Sequence, residues 1–226
     1  MDTRRQSGFT LWELLITLLV AGILVGIGLP SLRDVQRNNA ITSAANDIIT
    51  DVLAARAEAV KRRVPVTFCA SPDPTVANPV CSQNGAGTGG GFIVWVDFDP
   101  AHIDANQTPV FTATDGNAVV DANETILIRQ LVPPSMVPNG PLQIFMNSGY
   151  FTFGPNGLPA NVGGAPPRLS RILYCDDRGN KPGPGGANFS TARTIFIDQL
   201  GRANVETAQA DIVTAVAQIG GAAACP

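Results

Sequence analysis

The chain has 226 residues, room for one ordinary domain plus an appendage. Apolar residues make up 45% of it and charged residues 15%, enough for a packed core, and the formal charge of −3 offers no electrostatic footprint for a nucleic-acid partner. Gly (23) and Pro (18) are abundant, mostly beyond residue 70, which argues against a helical bundle and for turns and short strands.

The first eight residues, MDTRRQSG, are short and basic through Arg4 and Arg5. An apolar run follows from Phe9 to Leu29, FTLWELLITLLVAGILVGIGL. At about 1.5 Å per helical residue it spans roughly 30 Å, the thickness of a bilayer core. It is long for the apolar region of a secretory signal, typically about 7–15 residues. Pro30 and Leu32 stand where a small-x-small cleavage site would follow. Arg4 and Arg5 favour a cytoplasmic N-terminus, a bias that Arg33 and Arg37 beyond the run weaken. Glu13 lies inside the run, where an ionised carboxylate without a partner is expensive unless it snorkels outward.

Gly22, Gly26 and Gly28 precede Pro30, and these residues weaken a helix. The helical pattern nevertheless resumes. Ile41, Ala45, Ile48, Val52, Ala55 and Ala59 recur at steps of three and four, with Asp47, Asp51 and Glu58 on another face. That periodicity predicts one amphipathic helix from about Ser31 to Arg62, whose apolar stripe needs a surface to pack against.

Strands are predicted at 64–70, 91–99, 124–132, 142–146, 150–154, 169–175 and 192–205, all rich in β-branched and aromatic residues. Pro/Gly stretches such as SPDPTVANP, NGAGTGGG and RGNKPGPGGANFS separate them, and NSGY and QLGR read as tight turns. Strands in series without intervening helices imply antiparallel sheets. The stretch from Glu206 onward fits either a short helix, with Ile212, Val216 and Ile219 on one side, or an extended edge.

Cys69, Cys81, Cys175 and Cys225 all follow the apolar run, and four cysteines allow three pairings. There is no C-x-x-C pair, and the single histidine, His102, lies far from any ligand-like spacing, so disulfides in an oxidising compartment outrank a zinc site. Among the pairings, Cys69–Cys81 with Cys175–Cys225 is favoured: the first closes a Pro/Asn-rich loop and the second ties the C-terminal tail to a strand.

No enzyme signature emerges, and nothing calls for a cofactor or a metal. Asp97, Asp99 and Asp104 lack the tight spacing and closing glutamate of a calcium loop and read as a solvated loop after a strand. TGGG precedes a strand instead of opening a helix, so it is not a phosphate loop. His102 reads as a surface histidine, and Asp176-Asp177-Arg178 as a charged turn.

One constellation remains: a basic leader, Gly8, Phe9, Glu13 as the fifth residue after that glycine, and an apolar run ended by Pro30. This resembles the leader motif of the type IV pilin superfamily. The resemblance implies cleavage between Gly8 and Phe9 by a prepilin peptidase, methylation of the new Phe9 amino group, and assembly through Glu13, which would meet the amino terminus of a neighbouring subunit. A buried pair of that kind adds little net stability but is costly to break, so it would act as a register device. Trp12 departs from the small aliphatic residue usual at its place, and the segment from Gly22 to Pro30 resembles the stretch of pilin helices that loosens within filaments. VLAARAEAVKRRVPVTFCA, GFIVWVDFD, ETILI, FTFGPNG and RTIFIDQLGRANV are similar, in order, to segments of the GspH/FimT group of minor pilins and pseudopilins.

The fold so implied is α+β: a long N-terminal α-helix, half membrane-spanning and half amphipathic, packed on an antiparallel β-sheet or β-sandwich head. Its divisions are a leader (1–8), a transmembrane helix (9–29), an amphipathic helix (30–62) and a β-rich periplasmic head (63–226). The implied location is the bacterial inner membrane, in a single pass, then a pilus or pseudopilus. The implied partners are other minor and major pilins or pseudopilins, the prepilin peptidase that also methylates, and an inner-membrane assembly platform. The implied role is assembly or priming of type IV pili, with the pseudopilus of type II secretion as the alternative. A further alternative is DNA binding, since some FimT-like proteins bind DNA through a GRxR element. Here Gly201 and Arg202 are followed by Ala203 and Asn204, so the second arginine is missing, and Glu206 and Asp211 are acidic. Arg178, Lys181, Arg193 and Arg202 are the DNA-contact candidates, with Arg168 and Arg171 nearby, and the balance is against DNA because duplex binding needs several phosphate contacts.

Overall fold

A computed structural model describes residues 9–81, 90–131, 142–147, 149–160, 170–183, 186–219 and 225. One unbroken helix, α1 (Leu11–Arg62), runs through Pro30 and is the long N-terminal helix expected from the sequence. It ends at Arg63, whose φ of 59° is left-handed, and Pro65 follows. The predicted stripe is the buried one: Ile41, Ala45, Ile48, Val52, Ala55 and Ala59 are all buried, joined by Ala44.

Two antiparallel sheets form the head. In the first, β1 (Val66–Ser71) is flanked by β2 (Gly91–Val96) and β5 (Tyr150–Phe153), and β3 (Thr125–Leu131) pairs with β2. The second runs β4 (Gln143–Met146), β6 (Ser170–Cys175), β8 (Gly186–Ile197), with β7 (Pro182–Gly183) and β9 (Ala203–Ala208) both pairing with β8. The period of two decides the packing. Val66, Phe68 and Ala70 of β1, Phe92, Val94 and Val96 of β2, and Ile172 and Tyr174 of β6 share one core with the α1 stripe. Both sheets thus close on the helix, each contributing alternate residues.

The other faces are covered too. On the second sheet, Phe145, Leu173 and Cys175 pack under α2 (Gln209–Ile219), which buries Ile212 and Ala215. The C-terminal stretch is therefore a helix, because an apolar sheet face awaits it. On the first sheet, Cys69, Ile93 and Trp95 lie beneath Cys81, Val120 and Ile126. Disulfides join Cys69 to Cys81 and Cys175 to Cys225, closing loops of 12 and 50 residues.

Several boundaries differ from the sequence reading. The 192–205 strand is two strands around a turn at Asp198–Arg202, where Gly201 has a φ of 72° and donates to Asp198 O at 2.9 Å. β8 begins at Gly186, within the glycine-rich stretch that reads as a separator, and Gly186 itself has a φ of 104°. The predicted 91–99 strand stops at Val96, because Asp97 turns to collect loop hydrogen bonds. Asp97 is consequently buried, not solvated.

Candidate functional site

The N-terminal half of α1 is the first candidate surface. Phe9, Leu11, Trp12, Leu14, Leu15, Ile16, Leu18 and their successors to Val25 are all exposed in the single chain. Among the described residues these side chains stay exposed, and apolar residues lie on every side of the helix. A helix apolar all round belongs in lipid or among other helices. Among the described residues no helix is long and apolar enough to cross a membrane. The side chains of residues 27–31, which complete the 9–29 run, lie outside the described residues, as do Gly8 and the leader.

Glu13 sits in the first turn and has a partner in its own chain, contrary to the sequence reading of an unpartnered charge. Its Oε2 accepts from the Thr10 N–H and from the Thr10 hydroxyl, both at 3.0 Å, while its N–H donates to Thr10 Oγ1 at 3.3 Å. This is a capping box: Thr10 satisfies an orphan donor at N3, and Glu13 reaches back to the Ncap. Thr10-Leu11-Trp12-Glu13 carries that signal in the sequence, at the start of the apolar run. A negative side chain in the first turn also suits the helix dipole.

A second cluster lies where α1 leaves the head. Arg178 holds Asp176 at 2.7 Å and reaches Asp34 on the helix at 3.8 Å, while Arg37 reaches Asp177 at 3.6 Å. The predicted charged turn is thus a clamp across the neck. Leu32 before it and Val35 within it are exposed; downstream the buried stripe begins at Ile41.

The structure does not assemble the DNA-contact candidates into a free basic patch. Arg178 is engaged in the clamp. Arg202 Nε donates to Asp198 Oδ2 at 2.8 Å, and Arg193 donates to the carbonyls of Ser190 and Ala192 at 2.8 and 2.9 Å. Burial, then the nearby Arg178, lowers the Arg193 pKa. Arg171 pairs with Glu206 at 2.7 Å and lies over the Phe196 ring. Lys181 is exposed, and Arg168 lies outside the described residues.

His102 is partnered as well, its Nδ1 lying 2.9 Å from Asp115 Oδ2. Thr112 Oγ1 approaches the same Nδ1 at 3.2 Å, so the ring offers no relay from a hydroxyl on one nitrogen to a carboxylate on the other. Among the described residues no group of His, Cys, Asp and Glu is placed to hold a metal ion.

A family profile described as "Type II transport protein GspH" matches residues 44–201, most of the head together with the head-packed half of α1. The chain belongs to the GspH family. A second profile, the prokaryotic N-terminal methylation motif, matches residues 3–29, over the leader and the exposed apolar run. Together they make this GspH-family chain a pilin-type protein, and they imply an anchor in the inner membrane with the head in the periplasm. Its family and fold are those of structural proteins. No curated protein matches the chain. Two crystal structures of the type IV minor pilin FimU from Pseudomonas aeruginosa PAO1 are similar to it. The one in space group P21 is 18% identical, with a TM-score of 0.42, over 74% of this chain and 89% of that one. The one in P65 is 17% identical, with a TM-score of 0.37, over 73% and 91%.

Proposed function

We propose that the chain is a minor type IV pilin, cut between Gly8 and Phe9, methylated on the Phe9 amino group, and assembled into a pilus or its priming complex through its apolar helix half. The observation that carries this reading is the run of exposed apolar side chains from Phe9 to Val25, on a helix whose other half is sunk in the head. Such a surface is stable only in lipid or against other helices, and a subunit that passes from one to the other uses both. Glu13 supplies the register. Its hydrogen bonds to Thr10 hold the carboxylate until the Phe9 amine of a neighbour, placed at the correct stagger, offers a charged partner. At a wrong stagger the carboxylate is left among apolar side chains, which is costly. The partners are other pilins, the processing peptidase and the assembly platform.

The test uses Glu13→Ala in the producing bacterium. Cleavage of the leader continues, while the amount of the protein in sheared filaments drops at least about tenfold, the equivalent of 1.4 kcal/mol in the assembly equilibrium. Normal incorporation removes the register role.

The description of the matching family favours a second reading, a GspH-like pseudopilin of type II secretion. A deletion strain scored side by side for twitching, DNA uptake and protein secretion separates the machines, since the lost phenotype names the one served. The DNA reading has its own test, a gel-shift titration at two salt concentrations, and absence of a shift at low salt ends it.

A further inference from the structure

The excursion between β2 and β3 is anchored by two carboxyl groups in contact with each other. Asp97, just after β2, is buried and both of its carboxyl oxygens accept hydrogen bonds. Its Oδ2 accepts from the Thr67 hydroxyl at 2.6 Å and the Ala118 N–H at 2.9 Å, and its Oδ1 from the Asn117 N–H at 3.1 Å. Its main-chain carbonyl takes the Gly116 N–H at 2.9 Å. One residue thus holds three consecutive residues of the excursion against the sheet.

Glu124 closes the excursion and lies within hydrogen-bonding reach of the Asp97 side chain. Its Oε2 accepts from the Asp121 N–H at 2.9 Å. Its Oε1 is buried, and no donor reaches it. A buried carboxylate oxygen facing a second carboxylate, without a donor, is a costly arrangement if both are ionised. The charged groups that bear on Glu124 are Asp97 from β2 and Asp121 from its own loop. The neighbours of Asp97 from β1 and β5 are neutral hydroxyls, Thr67 and, 2.7 Å from it, Thr152. A proton on Oε1 resolves the conflict, because the orphan oxygen then becomes a donor and Asp97 its acceptor.

We propose that Glu124 keeps its proton at neutral pH and donates it to Asp97, and that this shared proton is a latch holding the 97–124 excursion to the first sheet. Burial pushes the Glu124 carboxyl up to about 8, with the Asp97 and Asp121 carboxylates acting in the same direction against the Asp121 N–H. Above that pH the second carboxylate ionises, the two charges repel at short range, and the Gly116–Ala118 anchor loosens. The surface that the latch governs includes Ile103, Val110 and Phe111, which the excursion carries exposed.

The test uses the full-length protein in detergent solution, labelled with ¹³C at the glutamate carboxyl. Only Glu13, Glu58, Glu124 and Glu206 contribute lines, and Glu124→Gln assigns one of them. The Glu124 line titrates with a midpoint near pH 8, and the amides of Gly116, Asn117 and Ala118 shift with the same midpoint. Asp97→Asn lowers the midpoint by more than about one pH unit, the scale of a close like charge. A Glu124 midpoint below about 6, or anchor amides that ignore it, overturns the latch. Thermal melting decides should Asp97→Asn not fold. The folded value lies above the ordinary 4.5, so the proton's stabilisation is complete below about pH 4.5 and gone by about pH 8. The melting temperature of the wild type therefore falls relative to that of Glu124→Gln between about pH 5 and pH 8, then runs parallel to it. Parallel behaviour across the whole range overturns the proposal.

Discussion

The two halves of α1 are built from the same kinds of residue and meet opposite fates. Leu11 and Leu24 in the first half are 77% and 66% exposed, while Ile41 and Ile48 in the second are 0% exposed. Hydrophobicity does not separate them; its distribution around the helix does. The first half is apolar on all sides and cannot be satisfied by one face of one head. The second confines its apolar residues to a stripe, with Asp47, Asp51 and Glu58 along its flank. The clamp of Asp34 and Arg37 with Asp176, Asp177 and Arg178 marks the change from one regime to the other. A single helix can therefore serve two environments if its pattern, not its composition, changes midway.

Truncation tests the contrast most sharply. Ile48→Ala should cost the head about 2–5 kcal/mol in chemical denaturation, since it opens a cavity between both sheets and the helix. Leu18→Ala should leave head unfolding within about 0.5 kcal/mol of the wild type while reducing incorporation into filaments. Equal effects at the two sites would erase the distinction. Next in size come the disulfides, which belong wholly to the head. Chain entropy assigns about 4 kcal/mol to the 50-residue loop closed by Cys175–Cys225 and about 3 kcal/mol to the 12-residue loop closed by Cys69–Cys81. Cys225→Ser should thus lower the denaturation midpoint more than Cys81→Ser, and the reverse order would place the stabilisation elsewhere than in loop closure. The smallest effect is expected at the border. Asp34 is half-exposed and 3.8 Å from Arg178, so Asp34→Asn should change stability by about 1 kcal/mol or less. Its readout is amide exchange in residues 32–38, which should quicken while exchange at Ile48 stays the same.

Much of this was legible in the sequence where a period was at work. The stripe from Ile41 to Ala59 needed only steps of three and four, and VPVTFCA and GFIVWVDFD only their β-branched and aromatic content. What escaped depended on contacts made later. β8 starts in GANFS because β7, two residues long, lends it a partner, and glycine-rich segments carry no propensity that would announce a strand. α2 was ambiguous because only the apolar outer face of β6, with Leu173 and Cys175, makes a helix preferable there. Asp97 looked like any aspartate after a strand; its burial is decided by the amides of Asn117 and Ala118, twenty residues on. Of the candidate site, Phe9 and Glu13 were singled out by the resemblance to the pilin leader motif. The Thr10 cap was equally visible, by the S/T-x-x-E rule.

The absence of a break at Pro30 has a mechanical consequence. A helix of 52 residues is a rod roughly 80 Å long, anchored over its last third between two sheets. A pull along its axis meets continuous helix on both sides of Pro30. It reaches the head as shear, spread over Ile41, Ile48, Val52, Ala55 and Ala59 at once, instead of peeling them one at a time. Contacts loaded in parallel yield together or not at all, so the helix would pass tension from its exposed end into the head as one body.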